Sequence, residues 1–192
     1  MEQLKNEKLT VTISAHGAEL QSIKNAEGRE YLWQGDEKYW PRRSPLLFPI
    51  VCGLWKDEYR VDGRTFNLPR HGFARDMDFE VVEKSDTSVT YTLESNAQTR
   101  EVYPYDFELD VTYILNDDNI NVIWSVKNTG KEEMHFQIGG HPAFNLPGVA
   151  EGDKMHGSIL FDNVEPLTRI IGNTGGCIKP ERYELKTDRQ VW

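Results

Sequence analysis

Apolar and polar residues alternate with a period of two along much of this chain. In FELDVTYIL, residues 107–115, the side chains of Leu109, Val111, Tyr113 and Leu115 share one face, while Glu108, Asp110 and Thr112 share the other. That is the pattern of a half-buried strand. NINVIWSVKN, residues 119–128, repeats it with Ile120, Val122, Trp124 and Val126. The intervening turn cluster of Asn116, Asp117 and Asp118 joins the two runs into a hairpin. Shorter runs of the same kind are LTVTI, AELQSI, REYLW, DEYRV, RTFNL, FEVVEK and SVTYTLE, separated mostly by Gly, Asn, Asp or Ser. Asp62-Gly63, between two of them, is a strong hairpin signal. No segment keeps apolar residues at helical spacing for three turns. NAQTREVYPY predicts at most one short helix before Pro104.

The expected fold is therefore all-β, an antiparallel sandwich rich in hairpins. Its 192 residues, 38% hydrophobic, suit one domain spanning 1–192, with no repeat or linker. The stretch after Gly148 carries few convincing strands and ends on KTDRQVW without a closing turn. The sandwich is accordingly expected to be incomplete at its C-terminal end, leaving a sheet surface uncovered.

Charge narrows the partners. Twenty-two Lys and Arg against 31 Asp and Glu give a net charge of −9. Such a balance argues against nucleic acid or an anionic membrane as partner and leaves small ligands. The amino terminus has no apolar signal region, and PLLFPIVCGLW is too short to span a bilayer. The expectation is a cytoplasmic protein. Cys52 and Cys177 lie far apart, which predicts reduced thiols, with Cys52 packing as a small hydrophobe. The histidines fit no metal-ligand spacing, so no metal or cofactor is expected. His16 and His156 are read as isolated surface residues.

Three stretches do not read as strands. WPRRSPLLFPIVCG, residues 40–53, has three prolines, which forbid a central strand, and two adjacent arginines. RHGFAR, residues 70–75, crowds positive groups around a glycine in an acidic protein. GGHPAFNLPG, residues 139–148, has two glycines that permit a sharp bend and a proline that stiffens the residue after His141. Each stretch alone also fits a loop without chemistry.

Together and in this order, RRSPLLFP, RHGFAR and GGHPAFN resemble the aldose 1-epimerase (galactose mutarotase) family, in particular its bacterial mutarotase-like and hexose-6-phosphate mutarotase-like branch. GAELQSIKN, EYLWQGD, YPYDFEL and NTG extend the likeness over most of the chain, which looks like the N-terminal two thirds of the family domain. The resemblance implies an isomerase that interconverts the α and β anomers of a hexose or hexose 6-phosphate by general acid-base catalysis. It implies His141 as the acid on the ring oxygen and His71 as a group holding that oxygen or a neighbouring hydroxyl. Arg43, with Arg42 as its competitor, and Arg75 are the implied sugar-binding residues, and no cofactor is implied. Phe73, Phe144 or Trp40 are candidates to pack on the sugar ring. The family's glutamate base belongs to the later part of a longer chain, and Glu165, Glu181 and Glu184 come too early to match it. A truncated mutarotase is therefore expected, the alternative being a carbohydrate-binding sandwich without turnover.

Overall fold

Alternation becomes register in the computed structural model, which describes residues 1–146, 148, 158–160, 167–172, 178–185 and 189–191. Strands β1 (Glu2–Lys5), β2 (Leu9–Ile13) and β3 (Leu20–Asn25) form one antiparallel sheet in that order. The short strand β4 (Leu46–Leu47) follows. Next comes the hairpin β5 (Glu58–Val61) and β6 (Arg64–Asn67), which turns on Asp62 and Gly63 with φ of 48° and 76°. Positive φ at both central residues fits the right-handed twist of the flanking strands, which is why Asp-Gly signals a hairpin. β7 (Glu80–Lys84), β8 (Ser88–Glu94), the helix α1 (Ala97–Val102), β9 (Phe107–Asn116) and β10 (Asn119–Asn128) complete the main body. The second sheet has the order β10-β9-β8-β7.

The alternating residues of β8 and β9 supply the core. Val89 faces Tyr113, Tyr91 faces Val111, and Leu93 faces Leu109 across the ladder. All six side chains are buried. Leu4, Val11, Ile13 and Leu20 of the first sheet close over them in the same apolar cluster. Burying one such side chain stabilises by about 1.5–3 kcal/mol, so this face fixes both registers. The two buried tyrosines also carry hydroxyls across the core: Tyr113 donates to the Ala18 carbonyl, in the loop before β3, at 2.7 Å and Tyr91 to that of Ile13 at 3.4 Å. The one α-helix among the described residues is short because NAQTREVYPY meets Pro104. It starts on a capping box, with the Asn96 side chain accepting from the Thr99 amide and the Thr99 hydroxyl accepting from the Asn96 amide.

Four expectations need correction. REYLW is not a strand; Glu30 and Leu32 make only single bridges, to Lys24 and Phe144. The apolar face of β10 is only partly covered, with Ile120 and Val126 packed against the core but Val122 39% and Trp124 38% exposed. β10 is an edge strand among the described residues, and a groove of about 880 Å³ lies between it and the first sheet. Leu20, Ile23, Ile120, Trp124 and Phe144 are among its lining residues. Thirdly, the C-terminal stretch does form strands: β12 (Ser158–Leu160) pairs with β15 (Arg189–Val191), and β13 (Leu167–Gly172) pairs with β14 (Ile178–Leu185). Their signal is weak because apolar positions such as Ile170, Ile178 and Tyr183 are more than half exposed. Finally, Cys52 is exposed rather than packed, for a reason given by the site. His156, Glu165 and Cys177 lie outside the described residues. No helix among the described residues is long and apolar enough to cross a membrane.

Candidate active site

The proline-rich stretch that could not be a central strand forms the axis on which the other two stretches are hung. On one side, the His71 amide donates to the Cys52 carbonyl at 2.8 Å, and the Phe73 and Ala74 amides donate to that of Phe48 at 3.1 and 3.2 Å. On the other side, β4 pairs with β11 (Gly139–Gly140). The pairing continues in single bonds: the Gln137 amide donates to Pro49, His141 to Pro45 and Ala143 to Arg43, at 2.9, 3.1 and 2.9 Å. Pro45 and Pro49 serve as acceptors only. A proline can offer its carbonyl to a neighbour but no N–H.

Two glycines allow these approaches. Gly72, at φ +70°, sits so close to the axis that a Cβ would lie 2.2 Å from the Phe48 carbonyl oxygen. Gly140 passes over Trp124, where a Cβ would lie 3.2 Å from the indole ring. Beneath the junction, Phe48 is fully buried and its ring lies 5.2–6.3 Å from those of Phe73, Tyr103, Phe107 and Phe136. Phe73 is thus a packing residue.

The result is a meeting of two imidazoles. The rings of His71 and His141 lie 6.2 Å apart between centroids, at 68° to one another. Trp40 packs on His141 at 5.0 Å and 42°. Of the three aromatic candidates, Trp40 is therefore the one beside the histidines. Phe144, 60% exposed, lines the apolar groove, which neither histidine lines. His16 stands apart, 2.8 Å from Asp78.

The arginines divide. Arg42 donates to Asp76 Oδ1 at 2.7 Å, and the Arg75 Nε lies 3.5 Å from Asp76 Oδ2. Arg75 also donates to the Arg70 carbonyl at 2.7 Å. Asp76 so ties the first arginine stretch to RHGFAR. Arg43 turns elsewhere: its guanidinium donates to the Gln21 side chain and, at 3.1 Å, to the Gln34 carbonyl. Its amide and that of Ser44 both donate to the Glu19 carboxylate, at 3.0 and 2.8 Å. Arg42, the competitor of Arg43, is thus the one tied to RHGFAR, and neither Glu19 nor Asp76 stands out in the sequence. Acidic residues in strand loops carry no local signal for partners this distant along the chain.

Electrostatics set the two imidazoles in a basic island. Burial holds the His71 imidazole below its ordinary value of 6.5, and the charges of Arg75, Arg70, His141 and Arg42 push it the same way. Burial likewise lowers Arg75. Among the described residues no group of three or more His, Cys, Asp or Glu is arranged to hold a metal ion. Two imidazoles at this separation, ringed by N–H donors and an indole face, can exchange protons with and donate hydrogen bonds to a small polyhydroxylated ring.

Comparison with known proteins identifies the family. The aldose 1-epimerase family matches residues 2–160. The chromosomal protein LacX of Lactococcus lactis subsp. lactis is 43% identical over 171 residues, 85% of this chain and 56% of its own length. A galactose mutarotase related enzyme from Lactobacillus acidophilus, solved by X-ray crystallography, has a TM-score of 0.91 at 37% identity, over 100% of this chain and 64% of its own. A galactose mutarotase-like protein from Lactobacillus casei ATCC 334 gives 0.93 at 35%, over 100% and 67%. The chain spans only a little over half the length of the curated relative. From its ordered motifs, its sandwich and these likenesses, this chain belongs to the aldose 1-epimerase family.

Proposed function

We propose that this protein is a mutarotase, interconverting the α and β anomers of a hexose or hexose 6-phosphate. The observation that carries the reading is the apposition of His71 and His141, with Trp40 packed on the second ring. In this reaction a base takes the proton of the anomeric hydroxyl while an acid protonates the ring oxygen. The C1–O bond of the ring breaks as C1 becomes an aldehyde. C1 then turns about its bond to C2, and closure on the other face returns both protons. Each positioned proton transfer contributes typically about 10²–10⁴ in rate.

His141 is the acid in this reading. Imidazole has an unperturbed pKa of about 6.5, so it gives and regains a proton near neutrality. His71 and Arg75 donate hydrogen bonds to the ring oxygen or hydroxyls. Arg42 stands on their side through Asp76, whereas Arg43 contributes by holding the strand that faces His141. A fork such as that of Arg75 or Arg42 also fits a phosphate. Glu181 and Glu184, exposed on β14, are not assigned as the base. The base that this reading requires is left unassigned.

The test is relaxation of fresh α-glucose, α-galactose and glucose 6-phosphate, followed by polarimetry or NMR exchange with the complete protein. Relaxation faster than buffer, lost in His141→Ala, is expected. Relaxation at the buffer rate for all these sugars would sink the reading.

A further inference from the structure

The conformation around Cys52 is explained by a pair of hydrogen bonds to His71. Cys52 and His71 both adopt left-handed backbone conformations, with φ of 68° and 70°. They exchange two bonds: the His71 amide donates to the Cys52 carbonyl at 2.8 Å, and the Cys52 amide donates to His71 Nδ1 at 3.0 Å. Non-glycine residues enter the left-handed region at a cost of roughly 1–2 kcal/mol each. The paired bonds offset that strain, and the turn that makes them carries the Cys52 thiol outward.

We infer that the Cys52 backbone amide is a positioning group that locks His71 as the neutral Nε2–H tautomer, a fixed hydrogen-bond donor that keeps its proton while His141 exchanges one. This rests on the mutarotase reading for the reaction it serves, but the tautomer follows from the geometry alone. A backbone N–H can only donate, so the nitrogen it meets must present a lone pair. With Nδ1 spent as acceptor, a neutral imidazole must carry its proton on Nε2. The doubly protonated ring would set N–H against N–H, orphaning the Cys52 amide. The charges around the ring oppose that state too. Arg70 and Arg75 come from its own stretch, Arg42 from the proline-rich stretch and His141 from the third. Asp76, the carboxylate that joins these stretches, is engaged by Arg42 and Arg75. Two histidines in one pocket thus receive different tasks from different surroundings.

The deciding experiment is nitrogen-proton NMR of the imidazoles in the ¹⁵N-labelled protein without sugar, His71 being assigned by loss of its signals in His71→Asn. An unprotonated Nδ1 and a protonated Nε2 are expected at pH 7.5. A proton on Nδ1 at that pH overturns the lock, whether or not the protein turns over any sugar. A second pair of variants separates donation from proton transfer. The Gln amide nitrogen reaches the place of Nε2, whereas the shorter Asn side chain reaches only that of Nδ1 and meets the Cys52 amide. If His71 donates, His71→Gln relaxes sugar roughly three- to tenfold faster than His71→Asn, the worth of one neutral hydrogen bond. Asn tolerates the left-handed region better, so backbone strain works against this order. Equal losses in the two variants would refute the donor role.

Discussion

Glu19 accepts the backbone amides of both Arg43 and Ser44, and so clamps the start of the segment on which His141 is aligned. The carboxylate stands just before β3, and its two bonds of 3.0 and 2.8 Å join the first sheet to the proline-rich axis. Arg43 strengthens the same joint with its guanidinium on Gln21 and Gln34. The site is therefore held by the sandwich itself, through groups that touch no imidazole.

This joint separates the two arginines experimentally. Arg43→Met removes hydrogen bonds from a charged group to Gln21 and Gln34, each worth about 1.5–3 kcal/mol. It should lower the urea midpoint clearly. Arg42→Met breaks a partly exposed ion pair with Asp76 and should cost less than about 1 kcal/mol. Under the proposed function its larger effect is on KM for the sugar. A KM effect confined to Arg43→Met, with unchanged stability, would reverse this assignment.

Gly72 is the position where the fold least tolerates a side chain. Gly72→Ala places a Cβ against the Phe48 carbonyl at φ +70°, so the axis and RHGFAR must part or strain. A loss of more than about 2 kcal/mol is expected from left-handed strain plus the clash. Chemical denaturation measures it. A variant within about 0.5 kcal/mol of wild type would show that the contact is looser than described.

The depressed His71 imidazole makes stability depend on pH, and the sign can be worked out. In the unfolded chain His71 takes a proton as pH falls through about 6.5. In the folded protein burial and the neighbouring cations delay that step to lower pH. Between the two values the unfolded state binds more protons, so stability falls as the solution is acidified through this window. His71→Asn keeps an acceptor near the Cys52 amide and removes the titration. Urea titrations at about pH 7.5, 6.5 and 5.5 should show wild type losing stability relative to this variant on acidification. A difference that is flat, or that grows in favour of wild type, would contradict the depressed pKa.

Strands whose partners lie close along the chain are set by local residue pattern alone. Leu109, Val111, Tyr113 and Leu115 alternate because one face of β9 is buried, and burial of that face is a local demand on a period of two. Asp62-Gly63 and Asp117-Asp118 turn their hairpins for similarly local reasons of backbone conformation. The three site stretches were legible as departures from that pattern, since prolines and glycines mark where a ladder cannot run. Tertiary structure alone decided what those departures do. Trp124 alternates as faithfully as Val111, yet it is 38% exposed because β10 lies beyond the cover of the first sheet. Arg42 and Arg43 are neighbours in a loop, and only the positions of Asp76, Gln21 and Gln34 send them to different partners. The proton on His71 was the least legible of all. It follows from a backbone amide brought back by two left-handed residues, and long-range hydrogen bonds of that kind leave no trace in residue type or spacing.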